Sequence, residues 1–79
     1  MRVRLLYFAS LRDAAGCQFE ELEFTHATLA SIYDQARAKH GFSLPRERLR
    51  VACNGAFARW DDAAGDGDEI AFIPPVSGG

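Results

Sequence analysis

The stretch Ile70–Ile73 and the two prolines after it constrain the fold of this chain more than any other feature. The four residues carry no charge, and their β-branched, aromatic and small side chains are typical of a strand buried inside a sheet. Pro74 and Pro75 lack backbone N–H donors, so a ladder of hydrogen bonds cannot continue past Ile73. The sequence therefore predicts a buried last strand that leads directly into a stiff, extended segment.

Two further strands and a short helical turn are predicted in the first third of the chain. Val3–Phe8 carries apolar residues on both faces, which indicates a central strand. Gln18–Phe24 has glutamates on both faces, which indicates an edge strand. Between them, Leu11–Gly16 has the composition of a short helical turn that a glycine closes.

The middle of the chain predicts one long helix, roughly Leu29–His40. Apolar residues recur there at i, i+3, i+4 and i+7, the spacing of a single buried stripe. Thr28 is a suitable N-cap, and Gly41 supplies a left-handed C-terminal stop. His40 in the last turn suits the helix dipole, and we favour that interpretation over a catalytic one. Phe42–Arg48 is predicted to be a loop.

The last third predicts a hairpin and an acidic connection. The strands Leu49–Cys53 and Ala56–Ala58 are joined by Asn54-Gly55, a pair typical of a type I′ turn. Trp60 is expected to cover an edge of the core. Asp61–Asp68 is interpreted as a solvated turn and not as a calcium site, because the twelve-residue ligand spacing of calcium loops is absent.

The order of these elements predicts an α+β fold of the β-grasp, ubiquitin-like type. The first and last strands are expected to lie side by side and parallel near the centre of a mixed five-stranded sheet, with one main helix across one face. Residues 1–73 would form this domain, and residues 74–79 an extended tail. The predicted core comprises Val3, Leu5, Tyr7, Leu22, Phe24, Leu29, Ile32, Val51, Ile70 and Phe72.

Composition narrows the classes of function. A formal net charge of −2 without a basic stripe argues against nucleic-acid binding, and no apolar run is long enough to span a bilayer. Met1-Arg2 leads straight into a strand, so we expect no signal peptide and a cytoplasmic protein. Cys17 and Cys53, each in a predicted strand-like setting, are interpreted as small packed residues, not as a disulfide or reactive thiols. No metal site is expected, because His26 and His40 form no ligand-spaced pair.

The strand alternation also predicts an apolar patch at the base of the tail. If Ile70 and Phe72 face the core, Ala71 and Ile73 face the other way, as do Leu6 and Phe8 of the neighbouring strand. Such a patch exceeds the scattered apolar residues of an ordinary surface. We expect it to bind a partner, and the alternative is that a loop covers it.

The final residues Val76–Gly79 end in two glycines. A frayed terminus is the common interpretation of such an end. Here, however, a core strand enters the tail without a long polar linker. Glycines lack Cβ atoms, so the tip could pass a narrow channel and present the carboxylate of Gly79 to another protein.

The string from Asp66 to Gly79 resembles the C-terminus of the small subunits of molybdopterin synthase, a family of ubiquitin-like sulfur carriers. It contains Asp-Gly-Asp-Glu, a hydrophobic strand and then Pro-Pro-Val-Ser-Gly-Gly. Tyr7–Asp13 resembles the family's first strand and the turn after it, and Thr28 resembles the start of its helix. Ala64 stands where the family usually has leucine, so we expect thinner packing beneath that loop.

The resemblance implies a group carrier without an active site of its own. No cofactor would be bound permanently. A ubiquitin-activating-type enzyme would use ATP to adenylate Gly79, and a sulfur donor would convert the adenylate into a thiocarboxylate. The tail would then enter the large subunit of molybdopterin synthase, in a heterotetramer, and give sulfur to a cyclic pyranopterin to form the dithiolene. Together with the apolar patch, this gives the predicted tail and partner-binding residues as Leu6, Phe8, Ile73, Pro74, Pro75, Val76, Ser77 and Gly78.

Two alternatives remain open at this point. The same Gly-Gly chemistry serves sulfur carriers for thiamin or tRNA thiolation and ubiquitin-like protein modifiers, although the preceding Pro-Pro-Val-Ser favours the molybdopterin branch. The second alternative is a β-grasp interaction module, in which the tail is only a chain terminus without carrier chemistry. Such a module should tolerate extra residues after Gly79.

Overall fold

Five strands and two α-helices make up residues 1–75, the part of the chain that this computed structural model describes. The residues Val76–Gly79, on which the predicted Gly-Gly tip falls, lie outside the described part. In chain order the elements are β1 (Arg2–Tyr7), α1 (Ala9–Ala15), β2 (Phe19–Glu23), α2 (Leu29–His40), β3 (Arg50–Cys53), β4 (Ala56–Ala58) and β5 (Glu69–Ile73).

The strands form one mixed sheet in the order β2-β1-β5-β3-β4. The pair β1 and β5 is parallel, and the other three pairs are antiparallel. The parallel pairing of the first and last strands is therefore confirmed, as is the edge position of the glutamate-rich β2. Together with α2, this arrangement is the predicted ubiquitin-like β-grasp fold.

Local signals hold α2 in the predicted place. Thr28 Oγ1 accepts a hydrogen bond of 3.2 Å from the backbone N–H of Ser31, and Gly41 ends the helix with a φ of 73°. The residues at the predicted i, i+3, i+4 and i+7 positions are all buried. This stripe packs on the sheet side chains that include Leu5, Ile70 and Phe72, so the core lies between α2 and one face of the sheet.

The predicted core is confirmed except at Leu22 and Phe24. Those two side chains are half-buried, because β2 is an edge strand and has a neighbouring strand, β1, on one side only. Trp60 packs on the core as predicted, with its ring stacked 6.1 Å from that of Phe72. Ala64, beneath whose loop we expected thinner packing, is half-buried and contacts the core.

Three local predictions need correction. The predicted turn at Leu11–Gly16 is a helix that begins at Ala9, directly after Phe8, so Phe8 lies outside β1. No side chain caps the start of α1, and the burial of Leu11 in the core is what favours this helix. The predicted loop at Phe42–Arg48 contains a 3-10 turn over Arg46–Arg48. Cys17 lies in the connection between α1 and β2, and not in a strand.

The Asn54-Gly55 turn is as predicted. Both residues have positive φ, 53° and 86°, as a type I′ turn requires. The Asn54 side chain also ties this hairpin to β5, because its Oδ1 accepts from the backbone N–H of Glu69 at 2.9 Å. Its Nδ2 donates to Asp68 Oδ1 at 3.0 Å. The hairpin is therefore fixed against the strand that leads into the tail.

Candidate functional site

The sheet face opposite α2 carries an apolar depression of about 290 Å³ that reaches the end of β5. Ile70 and Phe72 face the core, so the residues that alternate with them along β5 face this side. Residues of β1, β3, β4 and β5, of the turn between β3 and β4, and the residue after β1 line it. Its lining is Leu6, Phe8, Ala52, Gly55, Phe57, Glu69, Ala71 and Ile73.

An unbroken row of apolar residues crosses all five strands on this face. Leu6 of β1 pairs with Phe19 on one side and with Ala71 on the other. Ala52 of β3 pairs with Ala71 and with Phe57. The rings at the two ends of this apolar row are accessible, with Phe19 50% and Phe57 65% exposed. Exposed apolar residues grouped in this way often mark a contact with another protein, and the part of the row that lines the depression is the candidate here.

The tail leaves the sheet beside the apolar row. Ile73 ends β5 and pairs with Arg50 at the start of β3. Phe8, 45% exposed, lies on the same side of the row. Pro74 is half-buried and Pro75 is exposed. We refer to Ile73 and Pro74 as the tail root.

The other side of the apolar row is charged. Arg4 pairs in the sheet with Glu21 on β2 and with Glu69 on β5. Its Nη2 lies 3.6 Å from Glu21 Oε2, and one step further Arg2 Nη2 lies 3.0 Å from Glu23 Oε1. The outer face is therefore divided, with apolar residues and Arg50 towards the tail root and ion pairs away from it.

The structure brings together some of the predicted site residues. Leu6, Phe8 and Ile73 line the depression, and Pro74 follows directly. The positions Pro75 and Pro74 lie outside any strand, as expected for the start of a tail. A role of these residues in binding stays a prediction. The predicted tail residues Val76, Ser77, Gly78 and Gly79 lie outside the described part of the chain.

Sequence reasoning missed the contribution of the β3–β4 hairpin. Ala52 and Phe57 belong to the depression, and Phe57 is its most exposed ring. The signal was available, because a two-residue turn at Asn54-Gly55 fixes the register and places Phe57 opposite Ala52. This signal alone does not assign Phe57 to the depression, because the outer face of the short strand Ala56–Ala58 is defined only once β3 lies beside β5.

A polar cluster on the core side of the sheet was also missed. Glu20 Oε1 accepts from the Tyr7 hydroxyl at 2.7 Å and lies 2.8 Å from His40 Nε2, and Lys39 Nζ donates to Oε2 at 3.1 Å. Burial raises the pKa of Tyr7, and the hydrogen bond to Glu20 raises it further. The cluster links the edge strand to the end of α2, which gives His40 a structural partner in addition to the helix dipole.

Titratable groups near the depression are few. Among the residues that the structure describes as its lining, Glu69 is the one ionisable side chain. Burial raises the pKa of the Cys53 thiol, and its hydrogen bond to Asp68 adds to this effect, as expected for a packing residue. Within residues 1–75 no group of three or more His, Cys, Asp or Glu side chains could hold a metal ion. The same residues contain no helix with the length and apolar character needed to cross a membrane. The described lining of the depression therefore offers no acid–base constellation.

The chain matches a family model, curated relatives and solved structures over nearly its whole length. The model of the ThiS family matches residues 5–79. The molybdopterin synthase sulfur carrier subunit of Mycobacterium tuberculosis is 36% identical over 86 residues, which covers 100% of this chain and 99% of the relative. That of Haemophilus influenzae is 35% identical over 80 residues, with 98% and 99% covered. Among solved structures, small archaeal modifier protein 1 (SAMP1) of Haloferax volcanii has a TM-score of 0.83 at 28% identity, over 100% of both chains.

Proposed function

We propose that this chain, which belongs to the ThiS family and is a sulfur carrier subunit of the molybdopterin synthase type, carries sulfur as a thiocarboxylate on Gly79. The observation that carries the proposal is the continuity of core and tail. The central strand β5 pairs on both sides and then passes into Pro74 and Pro75 beside an apolar depression. This geometry fits a domain that docks by its surface and delivers a group on its tail.

The chemistry at Gly79 requires activation by a partner. A carboxylate is a poor electrophile, because the departing group would be an oxide. A ubiquitin-activating-type enzyme would use ATP to attach AMP to the carboxylate, and pyrophosphate would leave. Hydrosulfide supplied by a sulfur donor would then attack the acyl carbon, AMP would leave, and loss of a proton would give the thiocarboxylate. No residue of this chain needs to act as an acid or base in these steps, in agreement with the lining of the depression.

The large subunit of molybdopterin synthase would supply the second reaction. The loaded tail would enter its active site and give its sulfur to a cyclic pyranopterin, and Gly79 would return to the carboxylate. Two such transfers would supply the two sulfur atoms of the dithiolene, and the working assembly would be a heterotetramer. At about 3.3 Å per residue, Pro74–Gly79 can reach roughly 20 Å from β5. Sulfur transfer would therefore take place far from the depression, which would hold only the tail root in place.

The length of the tail provides a direct test. Deletion of Gly79 should move the carboxylate back by about 3.3 Å, beyond the tolerance of a reactive geometry, and one added glycine should put the wrong carboxylate forward. Neither change touches the core, so both variants should melt like the parent and still bind the large subunit in part. Ser77→Thr keeps the length of the tail and serves as the matched control.

The measurement is a reconstituted reaction with the adenylating enzyme, ATP and a sulfur source. Intact-mass analysis of the carrier then reports the replacement of one oxygen by sulfur, and dithiolene formation reports transfer. The parent and Ser77→Thr should be loaded, and both length variants should be inert. Loading of the Gly79-deleted protein at the parental rate, with full cofactor synthesis, would show that Gly79 is not the carrier group.

A second candidate function is that of a ubiquitin-like protein modifier, favoured by the full-length likeness to small archaeal modifier protein 1. Both functions begin with adenylation of Gly79 and differ in the acceptor. A modifier would form an amide bond with a lysine, which survives denaturation and thiol treatment. A lysate of the host organism, probed after denaturation for covalent adducts of this chain, separates the two.

A further inference from the structure

Two arginines cover the two ends of the apolar row in the same way. Arg50 Cζ lies 4.2 Å from the ring centroid of Phe57, and Arg4 Cζ lies 4.7 Å from that of Phe19. In both contacts the positive guanidinium is attracted by the electron-rich face of the ring. Each side chain is therefore held over the sheet face instead of extending freely into solvent.

The two arginines differ in their acidic neighbours. Arg4 lies within 3.6 Å of Glu21, and its sheet neighbour on the other side is Glu69. Among the ion pairs of residues 1–75, none includes Arg50. Its sheet neighbour on β5 is Ile73. Arg50 thus presents a positive charge at the tail root that the described part of the chain does not neutralise.

Docking makes this charge significant. A partner that covers the depression and the ring of Phe57 also removes water from the guanidinium stacked on that ring. A desolvated charge without a counter-ion opposes binding strongly, so a matching partner surface must supply an acceptor. A carboxylate is the best fit, because its two oxygens match the planar fork of N–H donors.

The position of Arg50 on one half of the outer face means that an ion pair with a partner carboxylate would also set the orientation of docking. The opposite half of the face, around Glu21, Glu23 and Glu69, carries carboxylates together with Arg2 and Arg4. A partner with a carboxylate at the tail side is attracted in one orientation, and the reversed orientation would place that carboxylate against the glutamates. Complementary charges of this kind set register and suppress incorrect docking.

We propose that Arg50, held on the ring of Phe57, pairs with a carboxylate of the synthase large subunit and thereby orients the carrier so that its tail points into the active site. This inference rests on the proposed function, because it takes the large subunit as the occupant of the depression. Arg50 is a positioning residue, since it touches neither the sulfur nor the pterin.

The test is a calorimetric titration of the full chain with the large subunit from the same organism, at low and at high salt. Arg50→Gln should raise Kd about tenfold at low salt, and Arg50→Glu should raise it further. Arg50→Lys should restore binding in part, because it keeps the charge and loses the fork. Arg4→Gln is the matched control, and it should change Kd less than about twofold because that charge is already paired. High salt should weaken the parent more than Arg50→Gln.

A charge swap then identifies the partner group. Asp and Glu residues that border the apolar surface of the large subunit are replaced by Lys one at a time, and one of these variants should restore the affinity of Arg50→Glu. Thermal melting of each carrier variant checks the fold, and Arg50→Lys keeps the test valid if Arg50→Glu is unstable. Failure of the parent to bind would overturn the proposed function itself. Parental binding with an equal Kd for Arg50→Gln, or an equal loss in Arg4→Gln, would overturn the role of Arg50 alone.

Discussion

Removal of the exposed phenylalanine rings that line the depression should weaken docking in proportion to the area that each ring presents. Phe57 is 65% exposed and Phe8 is 45% exposed. A fully covered phenylalanine loses roughly 200 Å², so a partner can cover about 130 Å² at Phe57 and about 90 Å² at Phe8. At about 25 cal/mol per Å², these areas correspond to about 3 and about 2 kcal/mol of binding free energy. Alanine retains Cβ, so both values are upper limits.

We therefore expect Phe57→Ala to raise Kd for the large subunit by about tenfold to about a hundredfold, and Phe8→Ala to raise it by less. Both rings lie outside the core, so the free energy of unfolding should change by less than about 0.5 kcal/mol. Loss of the Phe57 ring also releases Arg50, which is stacked on it. The effects of Phe57→Ala and Arg50→Gln should consequently not add.

Calorimetric titration of each variant measures these differences, and chemical denaturation verifies the fold. Phe19→Ala is a matched control, because Phe19 is 50% exposed and lies on the apolar row but outside the lining of the depression. It should bind nearly as tightly as the parent. If Phe19→Ala weakened binding as much as Phe57→Ala, the depression would not be the docking site. Unchanged affinity in both Phe8→Ala and Phe57→Ala would have the same consequence.

Three further predictions concern stability. Ile32 is fully buried, so Ile32→Ala should lower the free energy of unfolding by about 2–5 kcal/mol in chemical denaturation. Partial burial acts to raise the pKa of Glu20, but hydrogen bonds from His40 and two other side chains outweigh it and hold this pKa below its usual value. The resulting stabilisation is present above the unfolded pKa of about 4.3 and is lost as pH falls through the lower folded pKa. Glu20→Gln should therefore lower Tm at neutral pH and approach the parent in strong acid, and a constant difference in Tm would contradict this. Gly55 has a φ of 86° and open space where a Cβ would lie, so Gly55→Ala should cost about 1–2 kcal/mol from backbone strain alone, which thermal melting would detect.

The sequence by itself determined the elements whose signals are local. The Thr28 cap, the apolar spacing after it and Gly41 all act within a few residues, and α2 begins and ends where they indicate. Likewise, two adjacent residues with positive φ define the turn at Asn54-Gly55. The alternation along β5 was sufficient to separate its core face from its outer face, because the side chains of a strand point to opposite sides with a period of two. The pairing of β1 with β5 also followed, since both strands are apolar on two faces and need neighbours on each side.

Only the tertiary structure decided which residues share the outer face at the tail root. Phe19 and Phe57 lie at opposite edges of the sheet, and they join one apolar row only because β1, β5 and β3 intervene in register. The contrast between Arg4 and Arg50 has the same origin. In the sequence, both arginines alternate with apolar residues of a predicted strand and look alike. They differ in the fold because Arg4 lies between glutamates of the neighbouring strands, whereas Arg50 lies opposite Ile73. Side-chain partners across strands depend on pairings between distant segments, and local periodicity carries no information about them.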